Sequence, residues 1–497
     1  MIQRIIDAAP RYGYEILFWT MLVKMKAAIC ALLFAAPVAF AAGTPCEKLT
    51  QLVLPNITVV GAAMTTSGPG ATSLPLFCRI QAVAHPVPDS EIGFEIWIPS
   101  AATWNGKFQG VGNGGYSGAL GYAAMARALQ YGYATASHNT GHQGDGLDFG
   151  KGHPEKIVDY AYRAVHVMTE NAKLLVRIHT GQHAAKSYFV GCSAGGHQAL
   201  SEAQRYPADY DGIVAGAPAN NRTGQTLGFL WSWRALHNDD GSPIVSTAKL
   251  AQVTKAVIES CDATDGLKDG LIDDPRRCAL PDLSSILTQQ EAEAVRKVWA
   301  GAPGVYTGWP MGSENMGDQG WGQYLVNPKE PMRIGLYGTF LFGDPNWDWH
   351  TIDWERDLAY AKEKLGYMNA VESDLSPFRK RGGKLLMYSG WADPVVPPQD
   401  VAAYYENVSR TMGDTQEFFR LFMAPGMGHC GGGVGPNQFD ALTALDQWVT
   451  QGVAPGKLIA AHKSGRTRPL CPYPLVSRYG GSGSIEDAAN FACAKAP

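Results

Sequence analysis

Three residues of the types used in nucleophilic catalysis each follow a strand-like run of the sequence: Ser193, Asp393 and His429. A serine hydroxyl is a poor nucleophile near neutral pH, because it must lose its proton as it attacks. An imidazole can take that proton, and a carboxylate can fix the imidazole tautomer and stabilise the imidazolium. The carboxyl ends of parallel strands meet at one edge of a sheet. The sequence therefore predicts that these side chains meet there as nucleophile, orienting carboxylate and general base.

The serine lies in the hexapeptide 191–196, Gly-Cys-Ser-Ala-Gly-Gly, between a β-branched and aromatic run and a helix-like stretch. A serine at a sharp strand-to-helix turn takes a strained backbone conformation, and small neighbours let the strand and the helix pass close together. This pattern predicts a nucleophile elbow, and the chain order Ser, Asp, His is that of the α/β-hydrolase fold. Taken singly, each residue has a plain alternative: a glycine-rich turn, an Asp-Pro turn and a loop histidine.

A tetrahedral intermediate needs N–H donors for its oxyanion. The amide of Ala194, directly after the nucleophile, is the first predicted donor. The second is predicted from Gly114 or Gly115, in a glycine-dense loop upstream of the elbow, for which an ordinary turn is the alternative. Three further histidines could compete as the base, but none follows a late strand, and structural roles are predicted for them: His142, His183 and His197.

A cysteine directly precedes the serine and another directly follows the histidine, Cys192 and Cys430. If Ser193 and His429 meet, their chain neighbours are also close, and a disulfide would tie the two catalytic loops together. Such a tie would limit drift of the base from the nucleophile, and small displacements of that kind reduce the rate. Two buried free thiols are the alternative.

The remaining elements predict an α/β fold with a large insertion. Residues 42–218 begin with antiparallel strands and continue as alternating strands and helices, with a long amphipathic helix at 154–178, so we expect a parallel sheet covered on both faces. The pattern breaks over 219–380, a stretch with eight of the 13 tryptophans. We predict an inserted lid domain there, whose aromatic residues form either a substrate pocket or the lid's own core. Strands resume in 381–497, and 418–423 is predicted to be the last strand.

Composition and the N-terminal stretch narrow the class of protein. The 497 residues carry a formal net charge of -4, so no basic field points to nucleic acid. Residues 1–41 are predicted to be a signal peptide, because lysines precede an apolar run that ends in Ala-Phe-Ala. A start at Met21 or Met25 would make the first residues an upstream extension. Export with cleavage after Ala41 would leave a protein without a membrane span. It would also remove Cys30, one of the nine cysteines, and the even number of cysteines that remains favours disulfides.

These motifs resemble the tannase and feruloyl esterase family, which includes the mono(2-hydroxyethyl) terephthalate hydrolases. The resemblance rests on the segments 191–196, 211–218, 390–393 and 428–430, and the cysteine-flanked serine and histidine are its most specific feature. It implies an α/β-hydrolase fold with a large inserted lid domain. It also implies four disulfides, although one lid disulfide of some relatives has no cysteines here. The implied pairs are Cys192–Cys430, Cys46–Cys78, Cys261–Cys278 and Cys471–Cys493.

The resemblance further implies a structural Ca²⁺ site in the lid and no organic cofactor. The matching stretch is 261–273, whose carboxylates and glycine turns can offer hard oxygen ligands, although its spacing is not that of an EF-hand. An acidic surface turn is the alternative. The implied ligands are Asp262, Asp265, the Leu267 carbonyl, Asp269 and the Leu271 carbonyl.

The expected function is that of an exported serine esterase that cleaves small esters of aromatic acids, such as feruloyl or galloyl esters, through an acyl-enzyme on Ser193. A second hypothesis is a terephthalate monoester hydrolase, whose substrate carboxylate would need a lid cation, with Arg234 and Arg333 as candidates by type. A third, from another class, is a catalytically silent binding protein on the same fold. The sequence does not rank phenolic substrates and does not reveal the oligomeric state.

Overall fold

The computed structural model describes residues 43–317 and 319–496 of the chain. The predicted signal peptide and Cys30 therefore lie outside the described residues. Among the helices that are described, none is both long and apolar enough to cross a membrane.

Nine strands form the central sheet. They are β1 Ile57–Thr65, β2 Phe77–Ala84, β3 Ile92–Pro99, β4 Lys107–Val111, β5 Ala134–His138, β6 Lys186–Cys192, β7 Gly212–Gly216, β8 Lys384–Gly390 and β9 Phe419–Ala424. Their spatial order is β1-β2-β3-β5-β4-β6-β7-β8-β9. The ladders from β1 to β5 are antiparallel, and those from β5 to β9 are parallel. The predicted α/β class, with an antiparallel start, is confirmed.

Helices cover both faces of this sheet. The described helices are α1 Tyr122–Gln130, α2 Pro154–Val158, α3 Ala164–Thr180, α4 Ala194–Arg205, α5 Arg222–Leu236, α6 Thr247–Cys261, α7 Gln289–Ala300, α8 Trp354–Leu365, α9 Ser376–Lys380, α10 Pro398–Met412 and α11 Ala441–Gln451. The sheet is covered mainly by α1, α3, α4, α10 and α11. Successive strand residues point to opposite faces. Ile213 accordingly belongs to the core cluster that contains Leu200 of α4, whereas Val214 belongs to the cluster that contains Leu445 of α11.

Two expectations about secondary structure need correction. The helix predicted at 154–178 runs from Pro154 to Thr180, but a π-helical turn at Asp159–Arg163 separates α2 from α3. The strand predicted to be last, at 418–423, is the last of the central sheet only. Four short strands follow it as two hairpins: β10 Leu458–Ala461, β11 Thr467–Leu470, β12 Leu475–Tyr479 and β13 Phe491–Lys495.

The segment between β7 and β8 carries α5 to α9 and long irregular stretches. Its tryptophans pack largely within the segment: Trp321 is fully buried, and two pairs of indoles meet edge to face. Those pairs are Trp231–Trp354 and Trp233–Trp349, with ring centroids 5.9 Å and 5.0 Å apart. Short 3-10 segments lie at Cys46–Gln51, Asp148–Gly150, Asp262–Asp265, Pro275–Arg277, Trp349–Thr351, Gly366–Met368 and Ala488–Asn490, and further π-helical turns at Gly322–Val326 and Leu336–Leu341.

Candidate active site

Ser193 occupies the turn between β6 and α4, in a strained backbone conformation. Its φ of 61° and ψ of -118° lie in a region that side chains rarely adopt. Three backbone hydrogen bonds stabilise this conformation. The Ser193 N–H donates to the Gly216 carbonyl at 3.0 Å, and the Ser193 carbonyl accepts from His197 N at 3.0 Å and from Ala219 N at 3.2 Å. A Cβ at Gly191 would lie 2.3 Å from the Gly195 carbonyl oxygen, so this glycine is required for the close passage of strand and helix.

Asp393 follows β8 and is fully buried. Its Oδ1 accepts hydrogen bonds from the amides of Val395 and Val396 at 2.8 Å and 2.9 Å, which fixes the carboxylate. Its Oδ2 accepts from His429 Nδ1 at 2.8 Å. Because Nδ1 carries the proton in this hydrogen bond, Nε2 is left with a lone pair and can act as a base.

The loops that carry Ser193 and His429 are joined covalently. Cys192 and Cys430 form a disulfide with Cα atoms 5.9 Å apart, and they are the chain neighbours of Ser193 and His429. The two catalytic candidates therefore share one rim of the sheet. No group in the described part of the chain hydrogen-bonds to the Ser193 hydroxyl. The other three implied disulfides are also present: Cys46–Cys78, Cys261–Cys278 and Cys471–Cys493.

Two stretches of backbone contain the amides predicted to bind the oxyanion. Ala194 is the first residue of α4, where an amide has no partner inside the helix. The loop after β4 lies against the elbow, since a Cβ at Gly112 would be 2.6 Å from Gly195 Cα. The amides of Gly112 and Asn113 already donate to Val190 O and Gln198 Oε1, at 3.0 Å each, so Gly114 is the next candidate donor along the loop.

Gly115, the other predicted donor, is held by residues that the sequence did not single out. Its φ is 55°, and its carbonyl accepts a hydrogen bond of 3.0 Å from the Tyr160 hydroxyl. Arg222 in turn donates to that hydroxyl. Tyr160 and Arg222 are almost fully buried, yet nothing in their local sequence marks them as partners of this loop.

The other histidines have separate partners. His197 is buried on α4 and contacts the Met368 carbonyl through Nε2 at 2.7 Å, and burial holds its pKa well below the usual value. His142 stacks on Phe149 with ring centroids 3.8 Å apart, and burial again lowers its pKa. His183 is exposed. Neither His142 nor His197 contacts Asp393.

The acidic loop at 261–273 is ordered by its own carboxylates. Asp262 Oδ1 accepts from the amides of Asp269 and Gly270 at 3.0 Å and 2.9 Å, and Asp265 Oδ1 accepts from Leu267 N at 2.8 Å. Asp269 Oδ1 accepts from Leu271 N at 3.1 Å, while its Oδ2 pairs with Arg468. The carbonyls of Leu267 and Leu271 lie within the same loop.

An unpartnered carboxylate oxygen lies at the end of this loop. Asp273 Oδ2 is buried and makes no hydrogen bond within the described residues. Burial, with the nearby Asp265 and Asp269 charges, raises the pKa of Asp273 to about 7. The loop thus holds more negative charge than its protein partners neutralise, which fits a hard cation. The candidate ligand atoms of this loop do not lie close together. Within 43–317 and 319–496, the one group of three His, Cys, Asp or Glu residues whose ligand atoms lie within 4.8 Å of one another is His166, Glu202 and Asp209.

A family profile described as "Tannase and feruloyl esterase" matches residues 78–494. An uncharacterised esterase of Xanthomonas campestris is 36% identical over 558 residues, which cover 96% of this chain and 95% of the relative. Mono(2-hydroxyethyl) terephthalate hydrolase of Piscinibacter sakaiensis is 31% identical over 573 residues and 93% of each chain. The crystal structure of feruloyl esterase B from Aspergillus oryzae superposes with a TM-score of 0.83 at 30% identity, covering 90% of this chain and 99% of that one.

The disulfide beside the site gives a prediction. We expect the double variant C192A/C430A to lose about tenfold or more in the rate of p-nitrophenyl acetate hydrolysis, because the base is then free to drift from the nucleophile. The matched control C471A/C493A removes the disulfide of the C-terminal hairpins and should retain the rate. Both are assayed well below their melting temperatures. An unchanged rate in C192A/C430A would show that the bridge does not position the base.

Proposed function

The chain belongs to the tannase and feruloyl esterase family and is a carboxylic ester hydrolase. From this premise we propose that it hydrolyses esters of aromatic, phenolic acids, such as feruloyl or galloyl esters, through an acyl-enzyme on Ser193. The observation that carries the mechanism is the His429–Asp393 hydrogen bond of 2.8 Å in a loop bridged by disulfide to the nucleophile elbow.

The proposed reaction uses each group in turn. His429 Nε2 takes the Ser193 hydroxyl proton as the oxygen attacks the ester carbonyl, and the amides of Ala194 and of Gly114 or Gly115 stabilise the oxyanion. The imidazolium then protonates the leaving alcohol, and the acyl group stays on Ser193. A water molecule, deprotonated by the same imidazole, attacks the acyl-enzyme, and the acid leaves as the serine regains its proton.

The aromatic preference is supported by rings beside the Asp393 loop. Trp309 donates through Nε1 to the Pro394 carbonyl at 2.8 Å, one residue from Asp393. Phe229 and Tyr306 pack against this indole, with ring centroids 5.1 Å and 6.3 Å away. All three rings are buried, and aromatic surroundings of this kind favour an aromatic acyl group over an aliphatic one. In this proposal residues 219–380, which supply all three rings, are the lid.

Arg333 favours a second candidate function, hydrolysis of a terephthalate monoester. Its φ is 64°, and strained residues of this kind cluster at functional sites. Its guanidinium lies 5.9 Å from the Tyr116 ring and donates to Gln225 Oε1 at 3.1 Å, but it forms no ion pair with a carboxylate of residues 43–317 or 319–496. Arg234, the other candidate, instead donates to the carbonyls of Trp349 and His350. Arg333 is therefore the better candidate for a substrate carboxylate.

A structural Ca²⁺ in the acidic loop is also proposed. Asp262, Asp265 and Asp269 would supply carboxylate oxygens, and Leu267 and Leu271 would supply carbonyls. The buried, unpartnered Asp273 Oδ2 supports a cation there. Bound calcium would supply charge neutralisation and would take no part in the chemistry at Ser193.

We also propose that the enzyme is exported, to the periplasm or the medium. Four disulfides support an oxidising compartment, and the signal-like residues 1–41 provide the route.

A substrate panel tests the main proposal. We expect turnover of methyl ferulate or methyl gallate well above that of short aliphatic esters, covalent labelling of Ser193 by a fluorophosphonate, and loss of both in Ser193→Ala. Chlorogenate and a terephthalate monoester complete the panel. Activity on aliphatic esters alone would refute the aromatic assignment, whereas an unlabelled Ser193 without any turnover would favour the silent binding protein.

The two arginines give a paired prediction. We expect Arg333→Met to lower kcat/KM for a terephthalate monoester about tenfold or more relative to methyl ferulate, because a charged hydrogen bond contributes about 1.5–3 kcal/mol. The control Arg234→Met should leave that ratio unchanged. Equal ratios in the wild type and Arg333→Met would exclude Arg333 as the carboxylate group.

Calcium removal gives the remaining prediction of this section. We expect EGTA to lower the melting temperature by several degrees and CaCl₂ to restore it, since a ligand at about a hundredfold excess over Kd stabilises the folded state by roughly 3 kcal/mol. Asp265→Asn should abolish this response, and the exposed control Asp239→Asn should keep it. Identical melting curves in EGTA and CaCl₂ would argue against the site.

A further inference from the structure

A tight turn of residues 219–380, which we call the insertion, contacts the loop after β9 that carries His429, which we call the histidine loop. We call residues 312–317 and 319–321 the tongue. The amide of Met316 donates to the Gln319 carbonyl at 2.8 Å, and that of Trp321 donates to the Glu314 carbonyl at 3.1 Å, so the tongue folds back on itself. Its tip presents Gln319.

The start of the tongue, which we call its root, is held by hydrogen bonds to the buried carboxylate of Glu314. Glu314 accepts from Gly312 N at 3.0 Å, from Trp299 Nε1 at 2.7 Å and from Thr254 Oγ1 at 2.9 Å. These partners come from α6, α7 and the tongue itself, so the root joins three parts of the insertion. Trp321 Nε1 adds a bond of 3.0 Å to Ser313 Oγ. A fully satisfied buried network of this kind is rigid.

The side-chain amide of Gln319 hydrogen-bonds to the backbone on both sides of the His429 Cα atom. Its Oε1 accepts from His429 N at 2.7 Å, and its Nε2 donates to the carbonyls of His429 and Gly431 at 3.3 Å and 3.4 Å. A Cβ at residue 428 would lie 2.4 Å from Oε1, which explains why glycine precedes the histidine. Of the described groups, Gln319 alone hydrogen-bonds to the N–H and C=O of His429.

These contacts complement the two other restraints on the base. Asp393 holds the imidazole, and the disulfide holds the next residue along the chain, Cys430. Neither restrains the His429 peptide groups. A primary amide suits that task, because it offers an acceptor and donors on one short side chain, whereas a carboxylate offers acceptors only.

We propose that Gln319 is a positioning residue, through which the insertion orients the general base. The proposal rests on the proposed role of His429 as that base. It makes the insertion part of the catalytic geometry as well as a cover for the substrate.

Three variants of the full-length enzyme test this. Gln319→Met keeps the length of the side chain and removes all three hydrogen bonds, while Gln319→Glu keeps the acceptor and removes the donors. Gln323→Met makes the same change at an exposed glutamine four residues away. The readouts are kcat and KM for methyl ferulate, the rate of fluorophosphonate labelling of Ser193, and the melting temperature.

We expect Gln319→Met to lower kcat and the labelling rate together by about 10- to 100-fold with KM changed less than about threefold, because misplaced groups lose rate rather than binding. Gln319→Glu should fall between it and the wild type, and Gln323→Met should match the wild type. Wild-type kcat and labelling in Gln319→Met would overturn the proposal. If Gln319→Met does not fold, Gln319→Glu decides by the same criteria, with a wild-type rate overturning it. A wild type that neither labels nor hydrolyses any ester would instead refute the proposed function.

Discussion

The disulfide between Cys192 and Cys430 is the constraint on which the site depends. Its cysteines lie 238 residues apart in the chain. Cys192 ends β6 and Cys430 lies in the loop after β9, and β7 and β8 separate these two strands in the sheet. Strands three positions apart are about 14 Å apart at the usual spacing. The loops after them must therefore bend toward each other, and a covalent bridge is the shortest link that keeps them there.

The backbone is strained on both sides of this bridge. Ser193 and Cys430 each have a φ of 61°, a conformation that costs free energy and persists only where the surroundings hold it. Ser193 is held by three backbone hydrogen bonds to two elements. The loop that carries His429 is held by backbone hydrogen bonds, such as that from Val434 N to the Gly426 carbonyl at 3.0 Å, and in addition by the bridge, Asp393 and Gln319.

The fold and the positions of Ser193, Asp393 and His429 in loops after strands could be predicted from the sequence because they depend on local signals. Buried strands show as apolar runs, and an elbow requires glycines at fixed offsets from its serine. The late hairpins were missed since short, partly exposed strands such as Leu475–Tyr479 lack a strong apolar pattern. Tyr160 and Gln319 could not be predicted, because their roles depend on tertiary contacts between residues 45 and 110 positions apart.

The acidic loop packs against the histidine loop and against the tongue through its apolar side chains. A Cβ at Gly426, in the turn before His429, would lie 2.7 Å from Leu271 Cδ2, and a Cβ at Gly312, at the tongue root, would lie 3.1 Å from Ile272 Cδ1. Leu271 and Ile272 are adjacent and buried, so one short segment packs against both the base loop and the tongue. Closely packed interiors transmit displacements rather than absorb them. The order of residues 262–273 is therefore tied to the position of His429, although their carboxylates make no hydrogen bond to Ser193, Asp393 or His429.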